Sequence, residues 1–312
     1  YCEIMKKKFL FIIIFYISFN IYGQQEPIFS QYYLNDMFIN PAVSGSKISN
    51  PLTILTRQQW LGFEGAPFTT NISYHGALNN RSAMGGYLMF DKLYPSLQTN
   101  LHLNYAYHIP LDYNKINLSF GLGGKIMYYN LDFNLEDLPP GNDNAFSANT
   151  YEKILADASS GVYLYARNFY AGFSTSNLFR SSFNDPVKGS PFGNEESRNF
   201  YFTGAYRFKI VNNDWELEPS FLSKKVERFP AIYDLTTRII FLRDTWGGIT
   251  YRTDGTAIFL LGFTSHDIHF SYAYDYTLKD DIHKYSYGTH EIGISFYIKT
   301  LATQRHIGFW EY

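Results

Sequence analysis

The sequence predicts an all-β protein: a transmembrane antiparallel β-barrel of the outer-membrane kind, with about 14 strands. Three observations predict it. Almost every segment after Pro51 alternates apolar and polar residues with a period of two, the signature of a sheet with two unlike faces. The long connections between these segments fall only on alternate positions. Finally, aromatic residues reach 19% of the 312 residues while charged residues stay at 17%, with a mean hydropathy of -0.22. A helical membrane protein needs about twenty apolar residues per span and would be far more hydrophobic. A barrel sends only alternate residues into lipid, so its average hydropathy stays low.

A barrel uses this length as one unit. The net charge of -2, with no long basic stretch beyond the N-terminus, argues against nucleic acid as a partner. The single cysteine, Cys2, precedes the mature chain, which excludes disulfide, thiolate and Cys-ligated metal chemistry.

Residues 1–4 are read as lying upstream of the start at Met5, and residues 5–23 as a secretory signal peptide. Lys6 to Lys8 form its basic region, Phe9 to Tyr16 its apolar run, and Gly23 precedes the cut before Gln24, although Ile21 is larger than the residue usually found there. A membrane anchor fits less well, because Phe9 to Tyr22 is shorter than a normal span and contains Asn20. Residues 24–50 are rich in Tyr, Phe and Asn and contain Pro27 and Pro41, which predicts an ordered irregular segment at the periplasmic end or inside the lumen. Residues 51–299 are the barrel, and a tail follows over 300–312.

Strands are predicted to begin near Leu52, Phe68, Ser82, Gln98, Lys115, Ser159, Phe169, Arg198, Asp214, Ala231, Asp244, Gly255, Asp267 and Gly288. Leu101, Leu103, Tyr105, Tyr107 and Ile109 alternate with His102, Asn104, Ala106 and His108. Ile116, Leu118, Phe120 and Leu122 alternate with Asn117, Ser119, Gly121 and Gly123. The same pattern recurs from Ile268 to Tyr276 and from Glu291 to Ile298. Tyr128 and Tyr129, Tyr163 and Tyr165, Tyr272 to Tyr276 and Tyr285 to Tyr287 are read as interfacial girdles near strand ends. The even-numbered connections are brief: Asn79-Asn80, Asp112 to Asn114, Arg167-Asn168, Asn212-Asn213, Arg243-Asp244 and Ser265-His266. The long ones are odd-numbered: Leu131 to Ala158, Leu178 to Ser197 and Thr277 to Tyr287, with shorter members at Leu61 to Pro67 and Lys224 to Pro230. A soluble sandwich would share the alternation but has no reason to sort its loops this way, whereas outer-membrane barrels have short inner turns and longer external loops.

Several phrases carry a more specific likeness. Ile28, Phe29, Ser30, Gln31, Tyr32 and Tyr33 are followed by Asn40, Pro41 and Ala42, then by Arg57 to Trp60 and Gly65 to Pro67. Tyr274, Asp275 and Tyr276 precede a loop and the phrase Gly288, Thr289, His290, Glu291, Ile292. Together with Phe90 to Lys92, these resemble the PorP/SprF family of the type IX secretion and gliding-motility machinery of Bacteroidota, from about Gln25 to Lys299. The tail over 300–312 departs from the family's usual ending. The resemblance implies an exported outer-membrane protein whose partners are secreted proteins with type IX C-terminal sorting domains, other secretion or motility components, and outer-membrane lipid. It marks Gln31, Asn40, Pro41, Arg57, Trp60, Gly65, Pro67, Asp275, His290 and Glu291 as candidate partner-binding residues, with the Gln31 to Pro41 segment facing periplasmic machinery.

Arg57, His75, Lys125, Arg207, Lys209, Glu216, Glu218, Asp234, Arg238, Asp275 and Glu291 fall on the polar side of the alternation and are expected in the lumen. Inward charges are ordinary barrel filling, since a lipid-facing Arg or Lys near the midplane costs on the order of 2–4 kcal/mol. No cofactor, metal or catalytic residue is predicted. His290 and Glu291 lack the second histidine of a zinc helix, as Ile294 stands four residues on from His290. His266 and His269 would face opposite sides of a strand. Pro139 to Ala145 lacks the ligand order of a calcium loop. Gly121 to Gly124 lies within a strand, which suits sheet curvature or close packing rather than phosphate binding. The expected function is therefore non-enzymatic: binding sorting domains and helping to deliver or anchor their proteins. A diffusion porin or ligand channel and a lipid-modifying barrel enzyme, for example one using Ser295, stand as alternatives.

Overall fold

The computed structural model describes residues 27–111, 115–132, 150–183, 194–211, 214–279 and 281–299. It is a closed antiparallel barrel of 14 strands. In chain order these are β1 (Asn50–Gln58), β2 (Phe68–Ala77), β3 (Ser82–Leu93), β4 (Ser96–Leu111), β5 (Ile116–Asp132), β6 (Thr150–Ala166) and β7 (Phe169–Ser176). Then come β8 in two pieces (Asn199–Tyr206 and Phe208–Val211), β9 (Trp215–Val226), β10 (Ile232–Phe241), β11 (Thr245–Arg252), β12 (Thr256–Ser265), β13 (Ile268–Thr277) and β14 (Thr289–Ile298). Each strand pairs with its sequence neighbours, and β1 closes on β14 with Asn50 opposite Ile298 and Gln58 opposite His290. Closure leaves no sheet edge in the ring, the condition for a sheet to cross hydrocarbon. A separate two-stranded ribbon pairs Ser182–Phe183 with Asn194–Glu195.

The predicted strand starts agree with these within about two residues, except at β6. The structure begins β6 at Thr150 rather than Ser159, because β5 and β6 stay paired from Ile116 opposite Ala166 up to Asp132 opposite Thr150. Ahead of Ser159 the outward positions Glu152, Ala156 and Ala158 lack the bulky apolar side chains that advertise a strand. The alternation itself holds: Leu101, Leu103, Tyr105, Tyr107 and Ile109 are exposed on the wall, while His102, Asn104, Ala106 and His108 are buried inside. The connection from β3 to β4 is only Tyr94 and Pro95, so the odd-numbered side contains short turns as well as the long loops.

Residues 27–49 run inside the barrel as a plug. Phe29, Tyr32, Tyr33, Leu34, Met37, Ile39, Ala42 and Val43 are buried and form one apolar cluster with inward residues of the wall such as Leu55, Tyr87, Tyr163 and Trp246. Two short 3-10 turns, Asp36–Phe38 and Pro41–Val43, shape the plug. Asn40 caps the second turn, its side chain accepting from the Ala42 N–H at 2.9 Å, with Pro41 at the first helical position where its missing N–H costs nothing. The wall makes room with glycine: a Cβ on Gly121 would sit 2.1 Å from the Ala42 nitrogen, and one on Gly161 would sit 2.0 Å from Asn40 Oδ1. Gly121 therefore serves close packing, as its place within a strand suggested.

Three readings are corrected. Tyr129, Tyr163 and Tyr165 are not girdle residues: they are buried and point inward, where Tyr163 stacks on Tyr165 and tilts against Tyr170. Their odd positions share the parity of Ser119 and Lys125, which the plug's polar chain and aromatic rings can use. Lys209 is exposed, because it lies two residues from the end of β8, where the wall stops. His266 occupies the β12–β13 turn at φ 57 rather than a strand, while His269 is buried in the lumen. The signal-peptide region, Pro139 to Ala145 and the tail over 300–312 lie outside the described residues.

Candidate functional site

The plug is held at its first turn by charge. Arg57 of β1 and Glu291 of β14 are register partners, and Asp275 of β13 lies beside them. Arg57 donates to Glu291 Oε2 at 3.1 Å, to Asp275 Oδ2 at 2.7 Å and to Ser30 Oγ at 2.9 Å. Glu291 accepts the backbone N–H groups of Ser30 and Gln31, each at 2.9 Å, and its own carbonyl accepts from Gln31 Nε2 at 3.3 Å. Ser30 Oγ donates to Asp275 Oδ2 at 2.7 Å. Three wall residues from β1, β13 and β14 thus converge on two plug residues, and all five are buried. Such a cluster is worth little as a pair of charges but is costly to break, because removing one partner strands the others away from water.

The same logic continues around the wall. Arg252 forms a two-bond pair with Asp234 at 2.8 Å for both contacts, and lies 4.0 Å from Asp275. Arg207 and Arg238 both donate to Glu218, and Arg207 also lies 3.7 Å from Glu216. Arg238 stacks on the plug ring of Tyr33, with its guanidinium carbon 3.7 Å from the centroid, a cation–π contact that favours Tyr at this position. Lys125 reaches Asn177 and Glu196 at 2.6 Å each. Further along the plug, Asn35 donates to Asn71, Ser174 donates to the Ile39 carbonyl, Ser119 donates to the Ala42 carbonyl, and His108 bonds the Ser44 carbonyl at 2.9 Å. Asn40 donates to the Val162 carbonyl at 3.0 Å.

These contacts also give the plug a direction. Ser30 and Gln31 bond residues one or two positions from the long-loop ends of β1, β13 and β14, whereas Gly45 bonds His75 near the short turn after β2. The chain descends from the loop side to the turn side and only then starts β1.

At the loop side, two connections form a platform over the seam. Leu61 N–H donates to the Gly288 carbonyl and Tyr287 N–H donates to the Leu61 carbonyl, both at 2.8 Å, while Trp60 N–H donates to Thr289 Oγ1 at 3.2 Å. Trp60 (φ 45), Gly62 (φ 91) and Gly65 (φ 74) take the left-handed conformations that turn the chain here. The Pro67 carbonyl accepts from Gln59 N–H at 3.0 Å and closes the loop. Leu61, Phe63, Tyr285 and Tyr287 are exposed on this platform.

The motif residues singled out by sequence therefore separate into two groups. Gln31, Asn40, Pro41, Arg57, Asp275 and Glu291 are buried between plug and wall, so the Gln31 to Pro41 segment offers no periplasmic face in this structure; that expectation is corrected. Trp60, Gly65 and Pro67 shape the platform. His290 lies just below it, on the outer parity of β14, bonding the Tyr272 hydroxyl at 2.6 Å and the Tyr287 carbonyl at 3.2 Å. Ser295 is buried on the opposite face and bonds Thr53 at 2.9 Å, so it and His290 cannot act as a nucleophile and its base. Arg252 was not singled out by sequence, although it lies opposite Asp234 in a register that alternation could have supplied.

The chain matches the family model described as type IX secretion system membrane protein PorP/SprF over residues 21–296. No curated protein matches it. Among solved structures, the Pseudomonas putida toluene transporter TodX is similar at 10% identity and a TM-score of 0.50, covering 88% of this chain and 95% of that one. The Acinetobacter baumannii outer membrane protein Omp33 is similar at 9% identity and a TM-score of 0.46, covering 82% of this chain and 100% of that one. At such identities the likeness is one of fold.

Proposed function

This chain belongs to the PorP/SprF family of type IX secretion system membrane proteins, and from that membership we propose that it binds the C-terminal sorting domain of secreted surface proteins and helps to deliver or anchor them. It would act in the outer membrane, after export through a cleaved signal peptide over residues 5–23, without catalysis. The observation that carries the reading is the filled lumen. A plug bonded to β1, β2, β4, β5, β6, β7, β13 and β14 occupies the space a diffusion path would need. Recognition then falls to the outer surfaces at the loop side, where the Leu61 and Tyr287 platform displays apolar and aromatic side chains of the type found at binding hot spots. A diffusion porin would instead need an open lumen lined by its charges.

The test is crosslinking on intact cells followed by affinity capture of the full chain and mass spectrometry, with Phe63→Ala/Tyr287→Ala as the comparison. Recovery of a secreted protein through its C-terminal domain, reduced in the double variant, is the expected result. Recovery of the barrel alone, together with steady single-channel conductance of the purified protein, would sink the reading and favour a porin.

A further inference from the structure

β6 is longer than its neighbour can cover. It pairs with β5 along its whole length from Thr150 to Ala166, but pairs with β7 only from Ser160 to Tyr165. The stretch from Thr150 to Ser159 thus rises past β7 toward the loop side, about 33 Å of strand at roughly 3.3 Å per residue. Its level is marked by charge: Glu152 is exposed on the outward parity of β6, and an Arg180 to Glu227 ion pair at 3.5 Å lies beside the adjoining strand ends. Such groups mark the water side of the hydrocarbon belt.

The ladder's parity says which backbone groups face the uncovered side. The Ala158 carbonyl accepts from Leu178 N–H at 3.1 Å, so even-numbered residues point their N–H and C=O groups away from β5. A shoulder formed by residues 178–182 meets the lower part of this edge, largely through side chains. Asp157 accepts the N–H groups of Phe179 at 2.9 Å and Ser181 at 3.2 Å, and Ser181 Oγ donates to the Ala156 carbonyl at 2.5 Å. Lys153 Nζ donates to the Ser182 carbonyl at 2.5 Å, so the shoulder reaches this level through a side chain, while the N–H and C=O groups of Glu152 and Ile154 and the N–H of Ala156 have no backbone partner among the described residues. Ile154 is 69% exposed, and Glu152 and Ala156 are exposed as well. Folded proteins normally cover, charge or bend such an edge, because it is a template for another strand.

We propose that this edge of β6, from Glu152 to Ala156, receives an extended strand of the secreted partner protein as an added antiparallel or parallel strand. The inference rests on the cargo-binding reading above and specifies how the partner is held. Donors and acceptors repeated at the strand period select extended backbone rather than a helix or a small ligand, and Ile154 supplies one apolar side-chain contact. Main-chain bonding would give affinity that tolerates variation in the partner's sequence.

Parity also supplies the test. The Ile154 N–H does not serve the β5 ladder, so Ile154→Pro keeps that ladder and is allowed at an edge, yet removes a donor and places a ring where the added strand would lie. Full-length protein is expressed in its native cells, crosslinked and captured, with heat-modifiable electrophoretic mobility as the check of barrel folding. The expected result is that wild type and Ile154→Ala capture a secreted protein equally, while Ile154→Pro loses capture by about tenfold or more, as befits a lost main-chain bond plus a clash. Glu152→Pro, of the same parity, repeats the experiment if Ile154→Pro does not fold. Equal capture by a folded proline variant and wild type would overturn the edge inference alone. No secreted protein with wild type would overturn both readings, and capture of a second copy of this chain would overturn the assigned occupant.

Discussion

Glu291 and Arg57 face each other across the seam where the last strand closes on the first, and the carboxylate of Glu291 holds the plug by the N–H groups of Ser30 and Gln31. One residue therefore serves both closure of the barrel and retention of its plug. Glu291→Ala should remove one of the two carboxylate partners of Arg57 and leave two backbone donors unpaired in a buried site, a loss of about 3–5 kcal/mol. The purified variant should melt at lower temperature and open single channels in planar bilayers, where the wild type should be silent. A variant as silent and as stable as wild type would show that the seam cluster does not retain the plug.

Close approach between plug and wall makes a second, local prediction. Gly121→Ala would drive its Cβ against the Ala42 backbone at 2.1 Å, a contact that a backbone atom cannot evade. Gly124→Ala, three residues on in the same strand, meets nothing within 4 Å. The first should cost about 1–3 kcal/mol and the second little. Hydrogen exchange over residues 27–49 checks this: faster exchange in Gly121→Ala only is expected, and equal exchange in the two variants counts against the packing account.

These contacts explain how far the sequence could be read. Period-two alternation sorted Leu101 from His102 and Leu122 from Lys125 correctly, because a one-residue slip would put charge into lipid. The same rule failed at Tyr163 and Tyr165, which read as girdle residues although their ring faces pack inside the lumen. Alternation gives parity; it does not say that a plug will occupy the polar side and reward aromatic residues there. Likewise alternation placed Arg57, Asp275 and Glu291 in the lumen, but resemblance alone set them together with Gln31. Only closure of β1 on β14 brings residues 57 and 291 together, and that pairing spans nearly the whole chain.

The lipid-facing side offers a test of the membrane reading itself. Leu122 is 67% exposed on the outer wall of β5, while its neighbour Gly121 faces the plug. Leu122→Arg should destabilise the barrel by about 2–4 kcal/mol if the site lies near the bilayer midplane. Urea unfolding in lipid vesicles reads this directly. A near-neutral effect there would mean that this face meets water rather than hydrocarbon.

The plug's direction leads to a final prediction, about where the mature chain begins. Ser30 and Gln31 lie close to the loop side of the barrel, and Pro27, Ile28 and Phe29 line a small cavity with Tyr201, Leu222 and Lys224, near the loop-side ends of β8 and β9. If export ends with cleavage after Gly23, three residues separate the new amino terminus from Pro27, a reach of about 10 Å at most. The terminus should therefore open toward the cell surface even though the first strand starts at the periplasmic side. An epitope inserted between Gly23 and Gln24 should be labelled by antibody on intact cells, whereas one inserted between Asn79 and Asn80, in a short turn, should be labelled only after permeabilisation. Labelling of both only after permeabilisation would mean that the plug runs in the other direction. The result would also bear on assembly, because a chain that kept its apolar leader would have to carry it through the barrel to the surface, so cleavage would have to precede seating of the plug.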